Sequence, residues 1–471
     1  MDSALPHSIF ADYSERLLVL ILVVALSIAF TILVISTGGS WPGVLLLLGT
    51  GLAILAISNL RLALVLLIAS LYWDIHLSIF SSSVLISLLV LLAFIVDRER
   101  IGWRSSSSQL HLPLGVFLIS ILPSLINSSW LFYSAAKMLN LVAFIIAFGI
   151  TAVIARSIHF RWQLGTVFIV FAVANSLDIL RMTIMGASRP FGFGGIMFVD
   201  YSAMAVCLCL AVAMLKTGIS RLRFLMIASI IALGLILTQT RNTWISGLAT
   251  LIVMIVYLYY RPEVVSMRPR SIAFLGGGAI SILLVIALLA TAINPRVERK
   301  ATELTTVPSL DIKKIGAVSN SISSRLLIWD TAWRAFLSHP WIGIGIYSFP
   351  QSSQNYARMP KFLFQRYVKG LSPHQTYLAM LAETGIIGAL GFLYLILSVV
   401  RFAFRTIRLS PKGPIQEHAL LVTAGLTYCV ISMFFTDAWL WGQGIVLLGV
   451  LLGILVGVDN GRKATTAEPA C

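Results

Sequence analysis

Leu17–Ser36 runs about twenty residues without a charge, enough for one helix to cross a bilayer core of about 30 Å. Comparable apolar runs recur along nearly the whole chain. A cleaved signal peptide is disfavoured for the first of them, because the run is too long and no small-residue cleavage site leads into a polar domain. Charged residues make up only 11% of the sequence, against about 25% in soluble domains, so an ordinary water-soluble globule is excluded.

Apolar runs between charged or Gly/Pro/Ser-rich breaks fall at 17–36, 41–57, 61–79, 82–96, 110–127, 134–155, 163–185, 197–215, 222–239, 242–260, 271–293, 374–400, 419–436 and 442–457. The second and third runs are separated only by Ser58–Leu60, and the last two only by Asp437–Trp441. This pattern predicts an all-α polytopic membrane protein with about 12–14 transmembrane helices. An N-terminal transmembrane region, 1–293, would hold about eleven of them. A periplasmic loop, 294–373, C-terminal transmembrane helices, 374–457, and a cytoplasmic tail, 458–471, would follow.

The formal net charge of +16 would suggest a nucleic-acid partner in a soluble protein. In a membrane protein its default cause is the basic bias of cytoplasmic loops. With both ends inside, the short inside loops and ends collect 19 of the 34 Lys and Arg residues, and the short outside loops are nearly bare. Eleven more fall in 294–373, which has four acids and a net charge of +7. Such a field attracts anions, whether a phosphate-bearing substrate or lipid headgroups. The four cysteines (Cys207, Cys209, Cys429, Cys471) lie in apolar runs or at the C-terminus, with no metal-ligand spacing, so neither a disulfide framework nor a zinc site is expected.

Within the basic segment, 323–339 reads as an amphipathic helix with Leu326, Trp329, Trp333 and Phe336 at helical spacing, suited to the membrane interface. Ser323 or Ser324 would cap it and Pro340 would close it. Gly343 and Gly345 then make a breaker-rich turn. Ser372-Pro373-His374 would open the next membrane helix, with Pro373 in its first turn. The positive end of that helix would favour a neutral imidazole, as a general base requires, although a structural hydrogen-bonding role fits as well. Arg189 lies in a Gly-rich outward connection and Arg241 at a break between two apolar runs. Each suits either forked binding of phosphate oxygens or snorkelling to headgroups. Asp178 and Arg181, three apart, are expected to form a structural ion pair. Glu383, nine residues after His374, lies roughly opposite it on a helical wheel, so the two would not form a dyad. Gly385, Gly388 and Gly391 repeat every three residues, for which close helix packing is a sufficient reason.

These segments resemble the O-antigen ligase and polymerase superfamily of bacterial membrane glycosyltransferases. SRLLIWDTAWRAFLSHPWIGIGIYSF (324–349), SPHQTYLAMLAETGIIGALGF (372–392), TQTRNTWISGL (238–248) and RPFGFGG carry the likeness, which spans about 190–392. The resemblance implies transfer of a glycan from undecaprenyl pyrophosphate to an acceptor hydroxyl on the periplasmic face of the inner membrane, by an inverting displacement without metal or other cofactor. It implies His374 as general base and Arg189, Arg241 and Arg325 as the pyrophosphate-binding groups. The acceptor would be lipid A–core for a ligase, a growing polysaccharide for a polymerase or a protein for a protein glycosyltransferase, a choice the shared family pattern leaves open; no nucleic-acid partner is expected. Fourteen apolar runs exceed the roughly twelve helices implied for ligases, which tilts the expectation toward a polymerase. A transporter or flippase of a lipid-linked anionic glycan is the main alternative, and a non-catalytic assembly subunit a third.

Overall fold

The computed structural model describes residues 59–264 and 321–467 apart from 72–75, 78–79, 102–107, 188, 194, 196 and 441, with isolated residues between 270 and 285. The expected spans 17–36 and 41–57 and the basic stretch 294–320 lie outside the described residues, and 271–293 is only partly inside. Apart from a hairpin of two-residue strands, β1 (His76–Leu77) and β2 (Phe80–Ser81), the described regular structure is helical. The helices are α1 (Leu60–Ser70), α2 (Ser82–Ile101), α3 (His111–Ile121), α4 (Leu131–Ile154), α5 (Ile158–Ile184), α6 (Met197–Leu215) and α7 (Gly218–Leu237). They continue as α8 (Arg241–Tyr260), α9 (Ser321–Ser338), α10 (Lys361–Tyr367), α11 (Thr376–Leu409), α12 (Pro414–Ser432) and α13 (Gly442–Ala467). A 3-10 turn, Leu122–Asn127, extends α3, and a four-residue turn, Phe349–Ser352, lies between α9 and α10.

Seven of these helices, α4 to α8, α11 and α13, are long and apolar enough to cross a membrane. The chain is an all-α polytopic membrane protein. The expected runs coincide with helices within a few residues for most spans; α11 and α13 run nine and ten residues past their expected ends. The narrow break at Asp437–Trp441 is real, since Met433–Leu440 are non-helical between α12 and α13.

Two helices sit inside the bundle and others line it. In α6 and α13, 83% of the residues in the most apolar window are buried, against 33% in α7 and α8. Apolar side chains such as Val170, Met226, Ile252 and Val256 face outward, as lipid contact requires. The tightest seam joins α13 to α4. A methyl at Gly449 would lie 2.6 Å from the Phe144 carbonyl oxygen, one at Gly453 2.6 Å from Thr151 Cβ, and one at Gly457 2.7 Å from the Ala155 carbonyl carbon. Bare glycines every fourth residue let the two backbones meet.

Helix α11 is broken rather than continuous. Gly385 has φ 64° and ψ −165°, a conformation open essentially to glycine alone. The expected role of Gly385 in regular packing is therefore corrected; Gly391, lying against Ser120 and Phe117 of α3, fits it. The break admits the turn after α9. Ile344 N donates to Ala382 O (3.1 Å) and Gly345 N to Glu383 O (3.0 Å), while Ile386 N donates to Pro340 O (2.8 Å) and Ile387 N to Trp341 O (3.2 Å). Gly343 and Gly345 both have positive φ there, as the breaker-rich turn predicts.

Helix α9 begins at Ser321, so Ser323 and Ser324 lie inside its first turn instead of capping it. Its buried face is Leu327, Ile328, Thr331, Ala332 and Ala335, one step around from the expected aromatic stripe. That face packs on Ile344, Phe349, Val368 and Ala382. Trp333, Leu337, Trp341 and Phe362 are left exposed around it.

Candidate active site

The first residue of α8 is Arg241, only 9% exposed. The turn before it is fixed by Thr238, whose hydroxyl donates to Leu235 O (2.7 Å) and accepts from Thr240 N (3.3 Å). Gln239 between them takes φ 59°, rare for a residue with a side chain. Arg189 lies in the exposed connection from α5 to α6, its guanidinium 5.0 Å from the Phe191 ring centre. Arg325, in the second turn of α9, donates through Nη1 to Phe435 O (3.1 Å) in the connection between α12 and α13.

These three side chains share one electrostatic neighbourhood. Partial desolvation and then the charge of Arg241 push the Arg189 guanidinium below its ordinary value. Arg325 is lowered chiefly by burial; Asp437 acts against that and Arg241 with it. Burial is the larger cause in both, and mutual repulsion with Arg241 adds to it, so a bound anion would relieve both guanidinium groups. Asp178 and Arg181, in the last turns of α5, form the expected ion pair with each other (2.7 Å).

His374 stands two residues before α11, correcting its expected place at the helix start. Gln375 caps the helix, accepting from Leu378 N (2.7 Å), and Pro373 precedes the turn. The φ of His374 is 52°, and its N–H donates to Asp437 Oδ2 (3.2 Å). Its Nδ1 lies 3.8 Å from Asp437 Oδ1, a charge contact longer than a hydrogen bond. The histidine side chain is 38% exposed and that of Asp437 7%, so the imidazole faces the surroundings and the carboxylate backs it. Burial opposes ionisation of Asp437, but contact with His374 and with Ser372 outweighs it and holds the carboxyl below its usual range.

The connection after α12 fixes this turn by backbone. Thr376 N donates to Met433 O (2.9 Å), the Thr376 hydroxyl to Thr436 O (2.7 Å) and the Tyr377 hydroxyl to Val430 O (3.1 Å). On the other flank, Trp329 Nε1 donates to Pro373 O (3.0 Å), which pins one member of the expected interfacial stripe to the histidine turn.

Glu383 does not approach His374 as a partner, as the helical wheel implies. It is 3% exposed and accepts from Tyr347 N (2.9 Å) and Phe349 N (3.1 Å), holding the turn that enters the broken helix. Tyr347, with φ 59°, donates its hydroxyl to Leu440 O (2.8 Å). Asn127 Nδ2 donates to Gly343 O (2.9 Å), and Ser348 meets Ser128 (3.0 Å) and Ser134 (3.1 Å). Gln239, Tyr347 and His374 are the positive-φ residues other than glycine among the described residues, and each borders this region. Backbone strain of this kind collects where a site over-determines its geometry.

Two carboxylates here escape the sequence reading. Asp437 is one. Asp200, 5% exposed near the start of α6, accepts from the Tyr428 hydroxyl (2.8 Å) and couples to Arg325 and Asp437. The available signal is an acid at the edge of an apolar run with no basic neighbour in sequence. Among the described residues no three His, Cys, Asp or Glu side chains are arranged to hold a metal ion. The arrangement offers one accessible imidazole backed by a carboxylate, beside a cationic floor from three separate segments. It suits proton removal next to a bound anion.

Residues 224–393 match the family model described as O-antigen ligase, a stretch that includes Arg241, Arg325, His374 and Glu383. No curated protein matches the chain.

Proposed function

We propose, for a chain whose residues 224–393 match the O-antigen ligase family model, that it transfers a glycan from undecaprenyl pyrophosphate to an acceptor hydroxyl at the periplasmic face of the bacterial inner membrane. The observation that carries this reading is the electrostatic chain from Arg189 through Arg241 and Arg325 to Asp437 and His374. Arg189, Arg241 and Arg325 bind the pyrophosphate and take up charge as the sugar–phosphate bond breaks. His374 removes the proton of the acceptor hydroxyl, whose oxygen attacks the anomeric carbon from the side opposite the leaving group. One displacement inverts that carbon, and the pyrophosphate departs still held by the arginines. Asp437 orients the imidazole and stabilises its cation, as a buried carboxylate does behind other catalytic histidines. No step draws on a metal or cofactor.

Purified protein given lipid-linked glycan and acceptor should lose about 10²–10⁴-fold in transfer rate as His374→Ala, with binding of the lipid-linked donor retained. Full transfer by that variant would remove His374 as the base. Deleting the protein from its host separates the acceptors. Unligated lipid-linked polymer identifies a lipid A–core ligase, and single-repeat glycans identify a polymerase.

A further inference from the structure

Arg161 and His418 lie at the end of the bundle away from His374. Arg161 is in the first turn of α5, and Arg189 follows the far end of that 27-residue helix, about 40 Å away along its axis. Arg161 is 3% exposed and makes no ion pair among the described residues; its Nε and Nη1 have no hydrogen-bond partner there. His418, 5% exposed, places Nδ1 2.6 Å from Pro414 O, and its Nε2 has no partner either. The nearest acid on α12, Glu417, is taken by Lys216 (2.8 Å).

Both side chains line a cavity of about 170 Å³. Trp162 and Gly165 share its polar end, the Trp162 ring standing edge-on to His418 with centres 4.9 Å apart. The rest of the wall is apolar and runs along α6, α12 and α13 through residues such as Leu208, Val422 and Leu451. A guanidinium buried without a counter-charge is costly, and snorkelling does not relieve it here because the side chain is enclosed. A mobile inorganic anion would neutralise the head of this cavity and leave its apolar length unused. An amphiphile uses both.

We propose that this cavity binds an anionic phospholipid, with its phosphate on Arg161 and His418 and an acyl chain along the apolar wall. Nδ1 of His418 donates to Pro414, which leaves Nε2 a lone pair; it donates to the phosphate once it has gained a proton, a gain that the phosphate charge favours. The basic connections at this end, with Arg156 and Lys216, face the leaflet that is rich in anionic lipid. The site is separate from the glycan-transfer site and does not depend on that assignment.

The test is native mass spectrometry of the full-length protein, released from nanodiscs containing phosphatidylglycerol and phosphatidylcholine of matched acyl chains. Wild-type protein and the exposed-charge control Arg223→Gln should retain one phosphatidylglycerol in preference to phosphatidylcholine. Arg161→Gln should cut that preference about fivefold or more. Gly165→Leu keeps Arg161 and fills the open space beside Gly165, and it should lower retention of both lipids. Equal retention of the two lipids by wild type, or an unchanged preference in Arg161→Gln, overturns the proposal. Should Arg161→Gln fail to fold, unchanged retention in Gly165→Leu overturns it alone. Millimolar inorganic phosphate that binds at Arg161 in lipid-free protein and displaces the phospholipid would make this a free-anion site and overturn the lipid assignment.

Discussion

Two glycine series do opposite things in this molecule. In α13, Gly449, Gly453 and Gly457 recur every fourth residue, keep helical geometry and bring α13 against the backbone of α4. In α11, Gly385, Gly388 and Gly391 recur every third residue, and the first of them leaves the helix altogether. The α13 series uses glycine for the side chain it lacks, as Gly391 does against α3, whereas Gly385 uses it for a backbone conformation nothing else adopts. A membrane helix with every hydrogen bond made offers no backbone to a neighbour. Breaking α11 at Gly385 frees four backbone groups, and the turn at 340–345 takes them up.

Substitution should separate the two uses. Gly385→Ala meets the Trp341 backbone and a forbidden conformation together, and should cost about 3 kcal/mol or more in thermal unfolding. The fraction that still folds should also have lost glycan transfer. Glu383→Gln turns an amide N–H₂ toward Tyr347 N or Phe349 N, at a cost of about 2 kcal/mol by the same measurement. Gly453→Ala should force α13 away from α4 and cost about 1–2 kcal/mol, with transfer per folded molecule unchanged. If Gly385→Ala and Gly453→Ala prove alike in transfer per folded molecule, the distinction between the series collapses. Gly149 in α4 meets nothing within 4 Å, and Gly149→Ala should raise stability by about 0.5–1 kcal/mol.

Apolar run length made the spans legible, because the bilayer sets that length whatever the fold. The Asp178–Arg181 pair was legible because three residues along a helix is a fixed distance. The cationic groups of the proposed site were expected in advance on two grounds: Arg189 and Arg241 interrupt glycine-rich or apolar sequence where a charge is expensive, and Arg325 came through the family resemblance of its segment. Its acidic side could not. Asp437 reaches His374 across 63 residues of chain, and Asp200 reaches Tyr428 across 228. Nor does spacing reveal whether a glycine packs or breaks, because Gly385 is identified as a break only by the turn that enters beside it. The wheel that set Glu383 apart from His374 does not apply, because His374 precedes the helix in a left-handed turn, and it gave no hint that the backbone of Tyr347 and Phe349 would claim the carboxylate.

The histidine turn is hung on the connection between α12 and α13, through Asp437, Met433 and Thr436. That dependence sets an order in time. A ribosome releases His374 and all three arginines well before it releases Asp437, and the earlier helices enter the bilayer first. A nascent chain at that stage holds every basic group of the proposed site and the Trp329 contact to Pro373, but none of the bonds from Met433, Thr436 and Asp437 that hold the left-handed turn at His374. On the proposed assignment, competence arrives late in biogenesis, once the connection between α12 and α13 is in place.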